Sequence, residues 1–97
     1  MKYWRHGDVI LKTVKEIKGK KLDHLILAHG EVTGHKHVIS EGEAELYEHE
    51  GVLYLHVNSE TALLTHEEHK TIELPKGDYE ITIQREYSPE AIRRVVD

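Results

Sequence analysis

The chain has 97 residues, a formal net charge of −5 and no cysteine, and it is the size of one ordinary domain. The lack of cysteine excludes disulfides, thiolate zinc sites and thiol catalysis. The acidic balance argues against duplex DNA as a partner, because duplex binding needs a broad basic face. Residues 1–8 hold no apolar stretch typical of a signal peptide, and the apolar run 25–28 is far too short to span a bilayer. We therefore expect one cytoplasmic domain over residues 1–97, without a membrane partner.

Charge and histidine content are both uneven. Residues 1–30 carry seven Lys or Arg against three acids, whereas residues 31–80 carry three Lys against twelve acids. A few cations still suffice for a small anionic ligand. Nine of the 97 residues are histidine, and this excess is the feature that any function has to explain.

Alternating apolar and polar residues, with turn residues every eight to twelve positions or so, predict a mainly β domain. We expect a small barrel or sandwich of about seven to eight strands. In chain order, the pattern predicts a strand over 9–13, an exposed basic hairpin loop over 15–21 and a strand over 24–28. Strands 44–49 and 52–57 are predicted to pair across a turn at Glu50-Gly51.

The second half of the chain continues with a short strand over 61–64. Thr65 and Glu68 have the capping-box spacing, which predicts one short helical turn near 65–69. A strand over 71–74, a turn over 75–78 and a long strand over 79–87 follow. Pro89 suits the start of a C-terminal helix, although residues 91–96 fit an edge strand equally well.

Two histidine pairs stand out. His35 and His37 are two residues apart, so on a strand both side chains leave the same face. His66 and His69 are three apart, so on a helical turn they share a side. The spacing alone does not tell whether the sheet brings the two pairs together.

The first interpretation of these pairs is a metal site, since neutral imidazole binds divalent transition metals. The His35-x-His37 pair followed by Glu41 resembles the first motif of cupins, which implies a β-barrel with one metal held by two His and a Glu. His66 or His69 would complete that set. However, the second cupin motif places a histidine after a Pro-x-Gly turn, and no histidine follows residue 77.

The second interpretation is metal-independent acid–base catalysis, because imidazole titrates near neutral pH. This chemistry suits RNA-type phosphodiesters, whose ribose 2′-hydroxyl is an internal nucleophile. The third interpretation is that the histidines are ordinary polar surface residues. We favour it for the single histidines. These are His6, His24, His29, His49 and His56.

Several phrases together resemble a group of small prokaryotic and phage proteins of about this length. The phrases are GDVIL at 7–11, EVTGHKH at 31–37, LTHEEH at 64–69, LPKGDY at 74–79 and QREYSPE at 84–90. The group is similar to small ring nucleases, which degrade the cyclic oligoadenylate messengers of type III CRISPR immunity. The resemblance implies a metal-independent phosphodiesterase and a homodimer that binds a ring-shaped ligand across its twofold axis. A third class of function is a non-catalytic β domain that binds a ligand.

Our leading hypothesis is therefore a histidine-dependent phosphodiesterase without a cofactor, acting on a small cyclic or short RNA-like ligand. His35 or His37 is one proton-transfer partner, and His66 or His69 is the other. The remaining candidates would neutralise phosphate or position the substrate. They are Arg5, Thr33, Lys36, Gln84, Arg85 and Tyr87.

Overall fold

The computed structural model of the chain describes residues 2–29 and 34–83, and these residues form a mainly β domain. This part of the chain contains eight strands, within the predicted number. The strands are β1 (Tyr3–His6), β2 (Val9–Thr13), β3 (Lys20–Lys21), β4 (Ile26–His29), β5 (Lys36–Glu41), β6 (Ala44–His49), β7 (Val52–Thr65) and β8 (Ile72–Ile83). No helix that could span a membrane occurs in residues 2–29 and 34–83.

The eight strands form one antiparallel sheet with a fork in it. Its main order is β1-β2-β8-β7-β5-β4, while β6 pairs with both β7 and β3. The long strand β7 causes the fork, because residues 52–57 pair with β6 and residues 63–65 pair with β5. Between the two partners, the register of β7 against β8 shifts between Val57 and Thr61.

One face of this sheet forms the hydrophobic core. Alternating residues of the longer strands point to it, as the period of two requires. On β2 and β7, for example, Val9, Leu11, Leu55 and Val57 are fully buried. Tyr79 of β8 is also buried, and Trp4 of β1 meets its ring edge-on at 5.4 Å between centroids. The sheet therefore curls around a single core.

Barrel closure was predicted as one option and is wrong for the described residues. Both β1 and β4 end the sheet order, and no backbone ladder joins them. The edge strand β1 nevertheless approaches β5, the neighbour of β4, because side chains of β1 and β5 meet on the inner side of the curl. Their point of contact is His6 against His37.

The hairpin between β6 and β7 confirms the sequence prediction residue for residue at its turn. Glu50 and Gly51 both have positive φ, 52° and 82°. Two successive residues in this region match the twist of an antiparallel pair, which is why Gly is favoured there. The pairing His49↔Val52 closes the turn.

The predicted helical turn near 65–69 is wrong, since residues 67–69 form a bend. The two capping-box partners interact elsewhere. Thr65 Oγ1 donates to the Val38 carbonyl at 3.3 Å, and the Glu68 N–H donates to His66 Nδ1 at 3.0 Å. Pairing with β5 therefore replaces local capping.

The predicted turn over 75–78 is also wrong, because β8 runs through it without a break. Pro75 pairs with Thr61, and Gly77 pairs with Val57. Strand β2 pairs only with residues 79–83 of β8. On that side of β8, Pro75 therefore has no ladder partner in β2. A proline without an N–H is tolerated at such a position.

The remaining strands differ from the prediction at several points. Strand β1 was missed, and Lys20–Lys21 of the predicted loop pairs with β6 instead of lying free. The second predicted strand is shorter than expected, since β4 begins at Ile26. The end of the predicted strand 79–87 and the C-terminal helix or edge strand lie outside the described residues.

Candidate active site

Five histidine rings form one cluster at the open side of the curled sheet. His37 lies 4.4 Å from His66 and 5.6 Å from His69, measured between ring centroids. His66 lies 4.5 Å from His69 and 5.6 Å from His35. His6 lies 4.9 Å from His37 and 5.7 Å from His69. We call these five residues the histidine cluster.

Three separate segments supply the histidine cluster. His6 is the last residue of β1, and its side chain points inward like that of Trp4 two residues earlier. His37 follows the same rule on β5, where it shares the inner face with Ile39. His66 and His69 lie in the bend after β7. The pairing of Val38 with Thr65 brings β5 and this bend together, and the curl of the sheet brings β1 to them.

Gly7 allows His69 to pack directly against the turn between β1 and β2. A Cβ atom at Gly7 would lie 2.6 Å from His69 Nε2, and the φ of Gly7 is 65°. Both the contact and the left-handed backbone require glycine. The turn that follows His6 therefore forms one wall of the cluster.

The two buried histidines hydrogen-bond each other. His6 and His37 are 2 % and 1 % exposed, and their Nδ1 atoms are 2.8 Å apart. The other nitrogen of His6, Nε2, lies 2.9 Å from the Lys70 carbonyl oxygen. This chain of contacts ties β1 to β5 and to the segment that follows His69.

Burial makes both of these imidazoles hard to protonate. Desolvation, and then the neighbouring histidine charges, lower the pKa of His37 from 6.5 to about 4. Burial also lowers the pKa of His6, although the hydrogen bond to the Lys70 carbonyl raises it in part. At neutral pH His37 is therefore an uncharged base with a free lone pair on one nitrogen.

Two carboxylates border the histidine cluster. Asp8 Oδ1 lies 3.5 Å from His37 Nε2, and the Asp8 charge favours protonation of His37. Glu68 Oε2 lies 3.6 Å from His35 Nδ1. His35 Nδ1 is buried and has no hydrogen-bond partner among the described residues. Each carboxylate lies where it would pair with a protonated ring.

A third acid, Glu67, fixes the entry to β5. Its Oε1 accepts the Lys36 N–H at 3.0 Å, and the Lys36 backbone bond lowers the pKa of Glu67. Lys36, Thr65 and His66 line a small open cavity of about 240 Å³ beside the cluster, together with Val38 and Glu67. A cation therefore borders the same space as an imidazole.

The structure brings together all four histidines that the sequence singled out. It also adds His6, which was expected to be an ordinary surface residue and is instead buried at the centre of the contacts. His6 stands immediately before Gly7-Asp8, the turn whose residues touch His69 and His37. The sequence next to His6 does not indicate these contacts, because its hydrogen-bond partners lie 31 and 64 positions away.

The other four histidines lie outside the cluster, as expected of surface residues. His24 Nδ1 accepts the Ile26 N–H at 3.1 Å, and His56 Nδ1 lies 2.6 Å from Asp78 Oδ1. His29 and His49 are exposed. His29 is the ladder partner of Lys36, which lies between His35 and His37 in the chain.

The predicted substrate-binding residues are only partly described. Arg5 Nε donates to the Gly7 carbonyl at 3.1 Å, which places its guanidinium at the same turn. Lys36 borders the cavity beside His66. Four further candidates lie outside the described residues, namely Thr33, Gln84, Arg85 and Tyr87.

The residues that could hold a metal are the ring nitrogens themselves. One nitrogen from each of His37, His66 and His69 lies within 4.8 Å of the others. The predicted cupin-like set is not assembled, because Glu41 is exposed at the far end of β5, roughly 13 Å along the strand from His37. A second group of possible donors comprises His35, His66 and Glu67.

The hydrogen bonding of His66 does not suit a metal in either group. Its Nδ1 already accepts the Glu68 N–H, so the neutral ring carries its proton on Nε2. Neither nitrogen then offers a free lone pair, whereas a metal ligand needs one. A metal would have to displace the Glu68 contact or reverse the tautomer.

Comparison with known proteins places the chain in a family without assigning its chemistry. No curated protein and no solved structure matches the chain. One family model, described as a domain of unknown function, matches residues 5–84, which include the whole histidine cluster. The chain belongs to this family, DUF8820.

Proposed function

We propose that this protein is a metal-independent phosphodiesterase that cleaves RNA-type linkages with its histidines. The observation that carries the proposal is the contact between a buried, neutral His37 and the exposed ring of His69. The two rings stack at 5.6 Å between centroids and 19° between planes. A base that is uncharged at neutral pH thus lies beside an imidazole that is exposed to solvent.

The proposed reaction is an internal transfer. His37 takes the proton of a ribose 2′-hydroxyl, the 2′-oxygen forms a bond to phosphorus, and the bond from phosphorus to the 5′-oxygen breaks. Protonated His69 gives its proton to that 5′-oxygen. The products are a 2′,3′-cyclic phosphate and a 5′-hydroxyl, so neither water nor a metal takes part in this step.

Charge around the cluster supports this assignment. An anionic phosphodiester brings negative charge to a site that otherwise disfavours imidazolium, so substrate and protonated histidine stabilise each other. Lys36 adds a cation beside His66, where the charge of the pentavalent phosphorus would develop. Asp8 stabilises His37 once it has accepted the proton.

The substrate class proposed is the cyclic oligoadenylates, on the strength of the resemblance to ring nucleases. A small ligand with few phosphates needs few cations, which agrees with a chain of net charge −5. We propose a homodimer, because β1 and β4 are open edges of the described sheet and can pair with a second copy. A cytoplasmic location is part of the same proposal.

The test is cleavage of cyclic tetra-adenylate and of a linear oligoadenylate by chelator-treated protein. We expect turnover without metal, and a loss of about 100-fold or more in His37→Gln. His24→Gln is the matched control, because His24 is exposed and its ring makes no contact with the five rings of the cluster; its rate should stay within about twofold. No cleavage of either substrate in any metal state would overturn the proposal.

The same assay distinguishes acid–base catalysis from metal-dependent catalysis. Activity that disappears with the chelator and returns with one added equivalent of a divalent transition metal would assign the cluster to metal chemistry. Binding of the ring without turnover would assign it to a ligand-binding domain. Either result contradicts the acid–base proposal.

A further inference from the structure

The hydrogen bonds of His6 determine where its proton lies. Its Nε2 is 2.9 Å from the Lys70 carbonyl oxygen. A carbonyl oxygen only accepts hydrogen bonds, so Nε2 of His6 must carry the proton. In a neutral imidazole the other nitrogen, Nδ1, is then an acceptor.

The same reasoning extends to His37. Its Nδ1 lies 2.8 Å from Nδ1 of His6, a distance that requires one proton between them. Because Nδ1 of neutral His6 has no proton, Nδ1 of His37 supplies it. Neutral His37 therefore has its free lone pair on Nε2, the atom that lies 3.5 Å from Asp8 Oδ1.

We propose that His6 is a positioning residue that holds His37 in the Nδ1-protonated tautomer and so presents Nε2 of His37 as the proton acceptor of the site. The relay runs from the Lys70 carbonyl through His6 to His37. The last acceptor in this relay is a backbone carbonyl oxygen, which does not ionise. The tautomer of His37 therefore does not depend on the charge of a further side chain.

Two other proton arrangements satisfy the same distances. In the first, a doubly protonated His37 donates to His6 through Nδ1 and to Asp8 through Nε2, but burial opposes a cation on that ring at neutral pH. The second involves His6. A doubly protonated His6 would donate through both nitrogens, and His37 would then carry its proton on Nε2. That arrangement places a cation on a ring that is 2 % exposed and faces the histidines at 66 and 69. Burial and like charge both oppose it, whereas the neutral relay leaves no buried charge.

The position of Asp8 shows how this arrangement, with both rings uncharged, would serve catalysis. Before the reaction, Nε2 of His37 is unprotonated; after proton transfer, it becomes N–H and the ring becomes a cation. The Asp8 carboxylate then stabilises that cation at close range. This catalytic use rests on the proposed function, but the tautomer itself does not.

The test is nitrogen NMR of the ¹⁵N-histidine-labelled protein at pH 7.5 without substrate. The expected spectrum shows His37 protonated at Nδ1 only and His6 protonated at Nε2 only. A spectrum with His37 protonated at Nε2, or with a doubly protonated His6, would overturn the inference. This measurement needs no variant and no activity, so it separates failure of the relay from failure of the proposed function.

Two variants test the role of His6 as distinct from simple packing. In His6→Asn the amide oxygen replaces Nδ1 as acceptor, and we expect His37 to keep its tautomer. In His6→Leu, of similar bulk, the acceptor is lost, and the Nε2-protonated form of His37 should dominate. With cyclic tetra-adenylate, kcat should fall at least about tenfold in His6→Leu, with KM within about twofold, because a wrong histidine tautomer removes the base. An unchanged tautomer in His6→Leu would contradict the inference.

Discussion

His6 hydrogen-bonds His37 although their strands lie four places apart in the sheet, in the order β1-β2-β8-β7-β5. Across a flat sheet four steps amount to about 19 Å, at about 4.8 Å per step. The direct contact of 2.8 Å is therefore a consequence of the curl. It joins the edge strand β1 to β5, the neighbour of the other edge strand β4, through side chains, and it does so within the candidate active site.

Loss of this contact should destabilise the fold. His6→Ala leaves both the Lys70 carbonyl and the His37 Nδ1–H without their partner in a buried place, which should lower the free energy of unfolding by about 1–3 kcal/mol. Urea unfolding measures this. The matched control is His49→Ala, an exposed site, where we expect a change within about 0.5 kcal/mol. Equal stability of the two variants would contradict the role of the contact.

Gly7 and Gly51 offer a matched pair of glycines. Both have positive φ, 65° and 82°, but a Cβ at Gly7 would lie 2.6 Å from His69 Nε2, whereas nothing lies within 4 Å at Gly51. Both Ala variants should lose about 1 kcal/mol from backbone strain. Only Gly7→Ala should also displace the His69 ring and reduce cleavage.

The histidine chemical shifts and the cleavage rates of the two glycine variants measure this difference. The double variant Gly7→Ala with His69→Ala should recover part of the stability, since it removes the overlap. If Gly51→Ala impaired cleavage as strongly as Gly7→Ala, the packing of His69 against Gly7 would have no role in cleavage.

Stability should fall as the pH drops from 6.5 towards 4. Unfolded His37 takes up a proton near its ordinary pKa of 6.5, while folded His37 does so only near its pKa of about 4. Between these values the unfolded state binds more protons, so the free energy of unfolding rises with pH across this window. At pH 4.5 the cost is about 2–3 kcal/mol relative to pH 7.5.

Urea midpoints of the wild type and of His37→Gln at both pH values isolate this effect. The groups that face His37, namely His6, His66, His69 and Asp8, are present in both proteins. The wild type should lose more stability than the variant on acidification. Parallel losses would show that His37 has an ordinary pKa in the folded protein.

Glu67 should protect one particular amide. Its carboxylate accepts the Lys36 N–H at 3.0 Å. Glu67→Ala removes the acceptor, so hydrogen exchange at Lys36 should accelerate, whereas Glu67→Gln keeps an oxygen there and should change exchange little. Glu73→Ala, at an exposed position of β8, is the control. Slow exchange at Lys36 in Glu67→Ala would contradict the anchoring role.

Local signals explain which parts of the fold were predictable. The β6–β7 hairpin followed from Glu50-Gly51 and its flanking alternation, since two-residue turns are specified by their own backbone. The turn predicted at Pro75-Lys76-Gly77 failed because pairing with β7 outweighs local composition. The capping box failed for a similar reason, as β5 engages Thr65.

The site was predictable only in part. The spacing of His35 with His37, and of His66 with His69, indicated two groups of imidazoles, but the pairing of β5 with β7, which sets Val38 opposite Thr65, is what makes them meet. His6 could not be assigned from its own neighbourhood, because its partners are a residue 31 positions away and a backbone oxygen 64 positions away. Composition says nothing about contacts of that range.

The most direct test of the acid–base account is the first product formed from an oligoadenylate in H₂¹⁸O with chelator present. Internal attack by the 2′-hydroxyl predicts a 2′,3′-cyclic phosphate that contains no ¹⁸O, and no cleavage of a linkage whose 2′-hydroxyl is methylated. A first product that carries ¹⁸O, or cleavage of the methylated linkage, would contradict histidine-driven internal transfer at this cluster.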